Sequence, residues 1–198
     1  MRRLRELCDK AGALLVFDEV ICGFGRTGEW FAAQTYGVKP DLMTFAKGVT
    51  SGYQPLGGVI VSREICDLFE SDPDFYFRHG FTYSGHPASA VAGLVNLDII
   101  EREGLIQRAK EIDVKFSGGL AAMVSDGTLS GYRGVGALWS AQLPEGTTPE
   151  HTIACRDAAL DKGVIFRPIG DSLAFCPPLI IDDADLDRCL DVLADVLT

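Results

Sequence analysis

Residues 13–28 read ALLVFDEVICGFGRTG, and this stretch decides the fold. Its first five residues form a short uninterrupted apolar run, the pattern of a strand buried on both faces. Asp18 and Glu19 close the run. In open α/β sheets the carboxyl ends of strands are where ligands bind, so a carboxylate there can carry chemistry as well as a salt bridge or a helix cap. The loop from Gly23 to Gly28 matches GxGxxG, which on its own suggests dinucleotide binding. The match fails in context. Asp18 to Cys22 separate the strand from the glycines, and Glu29-Trp30-Phe31 is a poor helix opening over a phosphate. The next strand ends on no acid for a ribose, because Asp41 stands at its start. A Walker loop needs Lys followed by Ser or Thr after the last glycine and is excluded outright.

Residues 40–52, PDLMTFAKGVTSG, repeat the pattern: an apolar run, 42–46, ends at Lys47-Gly48. A strand-end lysine commonly does no more than reach solvent. Held in an apolar setting it loses hydration and becomes a usable amine nucleophile. Asp18 and Lys47 on successive strand ends together offer a carboxylate and an amine. A cationic aromatic cofactor that forms an imine requires both.

Working outward, residues 2–11 read as a helix stopped by Gly12, and 30–36 as a short amphipathic piece. A third strand spans 57–61, and Ser62-Arg63-Glu64 starts a helix. Pro87 opens a helix running towards Glu103, Gly104 interrupts, and a second helix runs towards Met123. Residues 131–143 alternate as one strand, 150–162 form a helix, 164–168 and 172–176 a hairpin, and 183–197 a closing helix. The expected architecture is α/β. Residues 1–105 form part of a large domain with a mainly parallel sheet, and residues 106–198 a smaller α+β domain.

The bulk numbers exclude several classes of function. Lys+Arg number 18 against 28 Asp+Glu, for a net charge of -10. A chain so acidic lacks the basic surface that nucleic-acid phosphates require; Arg2, Arg3 and Arg5 read as the solvated face of the first helix. No apolar stretch is long enough to span a membrane. Glu6, Asp9 and Lys10 fall where a signal peptide needs its apolar segment. The six cysteines have no zinc spacing, so no metal site and reduced thiols in a cytoplasmic setting are expected.

With these residues in view, the sequence resembles the class III aminotransferases, the fold-type I pyridoxal-phosphate (PLP) enzymes that include the omega-amino acid–pyruvate transaminases. Four blocks carry the resemblance, in the family's order: LVFDEVICGFGRTG at 15–28, PDLMTFAKGVTSG at 40–52, HGFTYSGHP at 79–87 and RPIGDSLAFCPPL at 167–179. The resemblance implies that Lys47 is the Schiff-base lysine and proton shuttle, and that Asp18 pairs with the pyridine nitrogen. It implies that Val20 packs on one ring face, and that Phe81 and Thr82 reach the PLP phosphate of the neighbouring subunit of a homodimer. It further implies that Arg167 pairs with a substrate carboxylate, a task suited to the planar guanidinium fork. A surface strand arginine is the alternative for Arg167. The implied reaction moves an amino group from an amine or amino acid to a 2-oxo acid such as pyruvate.

In this family more than half of the chain lies upstream of the strand that carries Asp18, including the phosphate cup and the aromatic residue on the other ring face. Strands without those neighbours are expected to leave hydrophobic edges exposed. Two readings compete: a portion of a transaminase, or a non-catalytic product that acts only by associating with a partner. An aminomutase or decarboxylase would keep the cofactor but change the reaction; Arg167 favours transamination.

Overall fold

The computed structural model describes residues 1–197. The chain forms two compact units. The first comprises Met1–Gly25 and Glu29–Gly104; the second comprises Arg26–Gly28 and everything from Leu105 onward.

In the first unit, α1 (Arg2–Ala11) ends where Gly12 turns left-handed at φ 64, and the Gly12 N–H returns to the carbonyls of Asp9 and Cys8. Three strands follow, β1 (Val16–Asp18), β2 (Leu42–Phe45) and β3 (Gly58–Val61), in the order β1-β2-β3. β1 and β2 are parallel, with Val16 opposite Leu42, Phe17 opposite Met43 and Asp18 opposite Thr44. The segment joining them contains the short α2 (Ala32–Thr35), the kind of crossover that a parallel pair requires. Between β2 and β3 lies only a 3₁₀ turn, Lys47–Val49, and the chain returns antiparallel. The sheet is therefore mixed, with one parallel and one antiparallel pairing. α3 (Arg63–Glu70) and α4 (Pro87–Arg102) complete the unit.

Leu15, Phe24, Ala32, Val38, Met43, Val49 and Ile100 are its buried apolar residues. The run 13–17 is buried on one face only: Leu15 is buried, whereas Leu14 is 60% and Val16 53% exposed. Val59 and Ile60 on β3 are exposed as well, matching the expectation of uncovered apolar surface along this sheet.

Asp41 ties the start of this sheet together. Its carboxylate accepts the Leu15 N–H at 2.6 Å and the Arg5 guanidinium of α1 at 2.7 Å. Its own N–H donates to Leu15 O, and its carbonyl accepts the Ser62 N–H.

In the second unit, α5 (Leu105–Ser125) buries Ala109, Ile112, Phe116, Leu120 and Met123, spaced three and four apart as one helical face requires. They pack on an antiparallel sheet of order β4-β5-β7-β6, built from β4 (Gly131–Val135), β5 (Leu138–Gln142), β6 (Arg167–Ile169) and β7 (Ser172–Phe175). The Phe175 ring centroid lies 5.4 Å from Phe116 and 4.8 Å from Phe166. α6 (Pro149–Asp161) and α7 (Asp183–Leu197) bury Cys155, Ala159, Leu186 and Leu193 in the same core. The stretch 131–143 is a hairpin, not the single strand its alternation suggests, because Gly136 adopts φ 62 and reverses the chain. Gly134 lies under the Trp139 ring; a Cβ there would fall 2.3 Å from its Cδ2.

The Leu15 N–H and then Arg5 hold the Asp41 carboxyl below its ordinary value of 3.8. A depressed carboxyl contributes stability that is present above the ordinary value and lost as pH falls through the lower, folded one. Asp41→Asn is expected to weaken the first unit at neutral pH and to flatten its loss of stability below pH 3.8. Denaturant titrations at several pH values, read from Trp30 in a Trp139→Phe background, check this. Parallel wild-type and variant profiles would refute it.

Candidate active site

The β1–β2 register decides which side chains share an edge. Asp18 is the last residue of β1 and lies opposite Thr44 of β2; Lys47 follows Thr44 by three residues. Both therefore emerge at the carboxyl ends of two adjacent parallel strands, where α/β sheets hold ligands. The Asp18 carboxylate accepts hydrogen bonds at 3.1 Å from the Val20 N–H and from Thr44 Oγ1. Both donors are neutral and fall on the same oxygen, Oδ1. Among the described residues no cation pairs with Asp18. An exposed carboxylate, oriented by two neutral donors and with its second oxygen free, fits a ligand that presents a protonated nitrogen.

Lys47 opens the 3₁₀ turn with φ 44, a left-handed conformation that is uncommon for a residue with a Cβ. Its side chain is exposed. The expectation of an apolar setting for its amine is not met among the described residues: Val49 and Thr50 just beyond it are buried, but Lys47 itself is not. Gly48 accounts for the next step of the chain. A Cβ at this position would stand 3.0 Å from Phe24 Cβ, so only glycine passes beneath that ring without displacing it. An amine and a carboxylate at neighbouring strand ends match the donor set that an aldehyde-bearing, protonated pyridine ring requires.

Glu19 is the residue that sequence reasoning passed over. It is 1% exposed, and its two carboxylate oxygens accept the N–H groups of Ala32 at 3.0 Å and Ala33 at 2.7 Å. Its own N–H donates to Thr44 O, and its carbonyl accepts from Gly23. The buried carboxylate thus closes the excursion 19–32 back onto the end of β1, next to Asp18. The signal was present, in a second acid directly after the strand, but its partners lie 13 and 14 residues ahead and no local pattern names them.

The loop 23–28 does not open a helix over a ligand. Its residues Arg26–Gly28 group with the second unit, where the Arg26 guanidinium donates to Pro177 O at 2.7 Å, Ala137 O at 2.9 Å and Cys176 Sγ at 2.9 Å. These bonds hold Arg26 within the second unit. Cys176 is exposed, whereas Cys155 is buried.

Val20 is half-buried two residues beyond Asp18. Phe81 and Thr82 lie in the exposed segment before α4, where the Phe81 N–H donates to Ser84 Oγ at 2.9 Å. Among the described residues the Thr82 hydroxyl and N–H have no partner. An open cleft of about 880 Å³ is lined by Ala46, Gln54, Leu56, Gly57, Phe81 and His86 among others. It brings the residue before Lys47 and the residue before Thr82 onto one surface. Arg167 opens β6, an edge strand of the second unit's sheet, opposite Ala174. Its side chain is exposed and has no ion pair among the described residues.

The profile of the family described as "Aminotransferase class-III" matches residues 1–197. The chain is 40% identical over 207 residues to the putrescine–pyruvate aminotransferase of Pseudomonas aeruginosa, covering 97% of this chain and 45% of the relative. It is 38% identical over 203 residues to the omega-amino acid–pyruvate aminotransferase of Pseudomonas putida, covering 100% and 45%. Among solved structures, the omega transaminase from Pseudomonas jessenii in complex with PMP superposes with a TM-score of 0.90 at 32% identity, covering 99% of this chain and 46% of that one. The chain thus spans about half the length of the curated relatives it matches. Among the described residues no helix is long and apolar enough to cross a membrane.

Glu19→Gln keeps one carbonyl oxygen and turns an N–H donor towards one of two backbone N–H groups. We expect a loss of about 1–3 kcal/mol in the first unit, with faster amide exchange at Ala32 or Ala33. Unchanged protection of both amides would show that Glu19 does not hold the excursion.

Proposed function

Because the chain belongs to the class III aminotransferases, we propose that it carries part of a PLP-dependent transamination site, with Lys47 as the catalytic amine and Asp18 as the partner of the ring nitrogen. The observation that carries this reading is the placement of Asp18 at the end of β1 and of Lys47 two residues beyond the end of β2, its parallel neighbour. Residues 1–105 would be the C-terminal part of the cofactor-binding large domain, and residues 106–198 the small C-terminal domain. The names of the relatives support an amine or amino acid as donor and a 2-oxo acid such as pyruvate as acceptor. The PMP complex of a solved neighbour supports the cofactor.

Pyridoxal phosphate, when bound, supplies an aldehyde that condenses with amines and a protonated ring that draws off electron density. Lys47 Nζ would attach the cofactor, release it to the incoming amine, and then carry a proton to and from the substrate carbon. Asp18 would accept the ring N–H; its negative charge favours the protonated ring. Its orientation by the Val20 N–H and Thr44 Oγ1 fixes the direction of that bond. Val20 would lie against one ring face. Thr82, with free hydroxyl and N–H, would donate to the phosphate of the neighbouring subunit, with Phe81 beside it, so the working assembly would be a homodimer. Arg167 would hold a substrate carboxylate through two hydrogen bonds.

A second reading, a non-catalytic chain that functions only in association, draws on the exposed apolar residues Val16, Val59 and Ile60 of the sheet and Leu14 just before it. Borohydride reduction after addition of pyridoxal phosphate, followed by peptide mapping, separates the two. The transaminase reading expects label concentrated on Lys47 and absent from Lys47→Ala; label spread evenly over surface lysines favours the second. In the assembled enzyme, Arg167→Ala is expected to lower kcat/KM for pyruvate by about 10- to 100-fold, the loss of a charge-assisted pair, while a simple amine donor is little affected. Equal losses for both would assign Arg167 a structural role.

A further inference from the structure

The turn that carries Lys47 is held together by little of its own. Lys47 sits at φ 44 and Ser51 at φ 51, so two side-chain-bearing residues occupy left-handed backbone within one tight segment. Such backbone persists only where surrounding contacts enforce it. The turn's internal hydrogen bonds are long, with Val49 N to Ala46 O at 3.2 Å and Thr50 N to Lys47 O at 3.3 Å. Val49 and Thr50 are buried, which leaves the carbonyls beside them in need of partners.

Asn96 on α4 meets that need. Its Nδ2 donates to Gly48 O at 2.8 Å and to Val49 O at 3.2 Å. Its Oδ1 accepts the Ser51 hydroxyl at 2.8 Å. One amide therefore binds both ends of the segment that follows Lys47, using its donor and its acceptor at once. The helix beneath lies close: a Cβ at Gly93, three residues before Asn96, would stand 3.7 Å from Val49 Cγ2 and 3.2 Å from Leu56 Cδ2. α4 is thereby a rigid platform against which the turn is pinned.

We propose that Asn96 is a positioning residue for Lys47, fixing the backbone from which its amine leaves β2. It touches neither cofactor nor substrate and acts through the Gly48 and Val49 carbonyls. The proposal rests on the reading of Lys47 as the amine that holds the cofactor.

The test uses the 198-residue chain, Asn96→Asp and, as a second variant, Asn96→Leu. Asp keeps the size of the side chain and the acceptor for Ser51 but removes both donated hydrogen bonds. Two measurements are made: amide exchange at Val49 and Thr50, and the rate at which pyridoxal phosphate with borohydride labels Lys47 relative to the other lysines. Both variants are expected to exchange at these two amides at least about tenfold faster, because Asn96→Asp loses two hydrogen bonds and Asn96→Leu three, and to lose Lys47 selectivity by a similar factor. Exchange elsewhere in α4 and across β4–β7 is expected to stay unchanged. Selective labelling of Lys47 in the wild type that persists in Asn96→Asp overturns the positioning role and leaves the reading of Lys47 intact. Absence of selective labelling in the wild type sinks the reading of Lys47, and the exchange rates then decide alone whether Asn96 holds the turn. Protection lost along the whole of α4 overturns the proposal, because Asn96 would then support the helix and not the turn.

Discussion

The parallel register of β1 against β2 is the constraint on which the site depends. With Asp18 opposite Thr44, the carboxylate and the turn that begins at Lys47 leave the sheet at the same edge. A slip of one residue would turn every side chain of the short β1 to the other face. Three residues of strand are few to fix a register by pairing alone. The structure supplements them at both ends: Asp41 binds the Leu15 N–H and Arg5 ahead of the strands, and Thr44 binds Asp18 and the Glu19 N–H beyond them.

Around that edge, buried and half-buried side chains of the first unit are saturated by backbone partners, and exposed ones keep the free capacity that the proposed site requires. Glu19 is buried and holds the excursion after β1 by two backbone N–H groups. Asn96 is half-buried and holds the segment after β2 by two backbone carbonyls. Asp18 and Lys47 beside them are exposed. The division follows from energetics: a buried polar side chain must be saturated by fixed partners, whereas an exposed one keeps capacity for a ligand. The left-handed backbone at Lys47 belongs to the same arrangement, as local strain kept at a site and compensated by its surroundings.

Much of this was legible in the sequence because it depends on local pattern. Gly12 ends α1, Pro87 starts α4, and Gly104 separates α4 from α5. Asp18 and Lys47 were visible as charged residues closing apolar runs. What the pattern misjudged depended on distant contacts or on a single dihedral angle. Gly136 breaks the 131–143 alternation through a positive φ that composition does not announce. The third strand pairs antiparallel because its connection holds no crossover helix. Arg26 of the GFGRTG loop reaches carbonyls more than a hundred residues away, and neither the Glu19 nor the Asn96 side chain has a partner near it in sequence. The full burial expected of residues 13–17 failed for a related reason, since it depends on what covers the sheet and not on the strand itself.

The central claim, that the register joins a ring-nitrogen acid to an attaching amine, is tested most directly by the absorption spectrum of the chain with added pyridoxal phosphate, recorded for the wild type and for Asp18→Asn. A carboxylate at the ring nitrogen keeps the ring protonated and the absorption at long wavelength. The account predicts a long-wavelength band in the wild type that moves to shorter wavelength in Asp18→Asn while attachment to Lys47 persists. Identical spectra for the two proteins would contradict it, because Asp18 would then have no part in holding the ring.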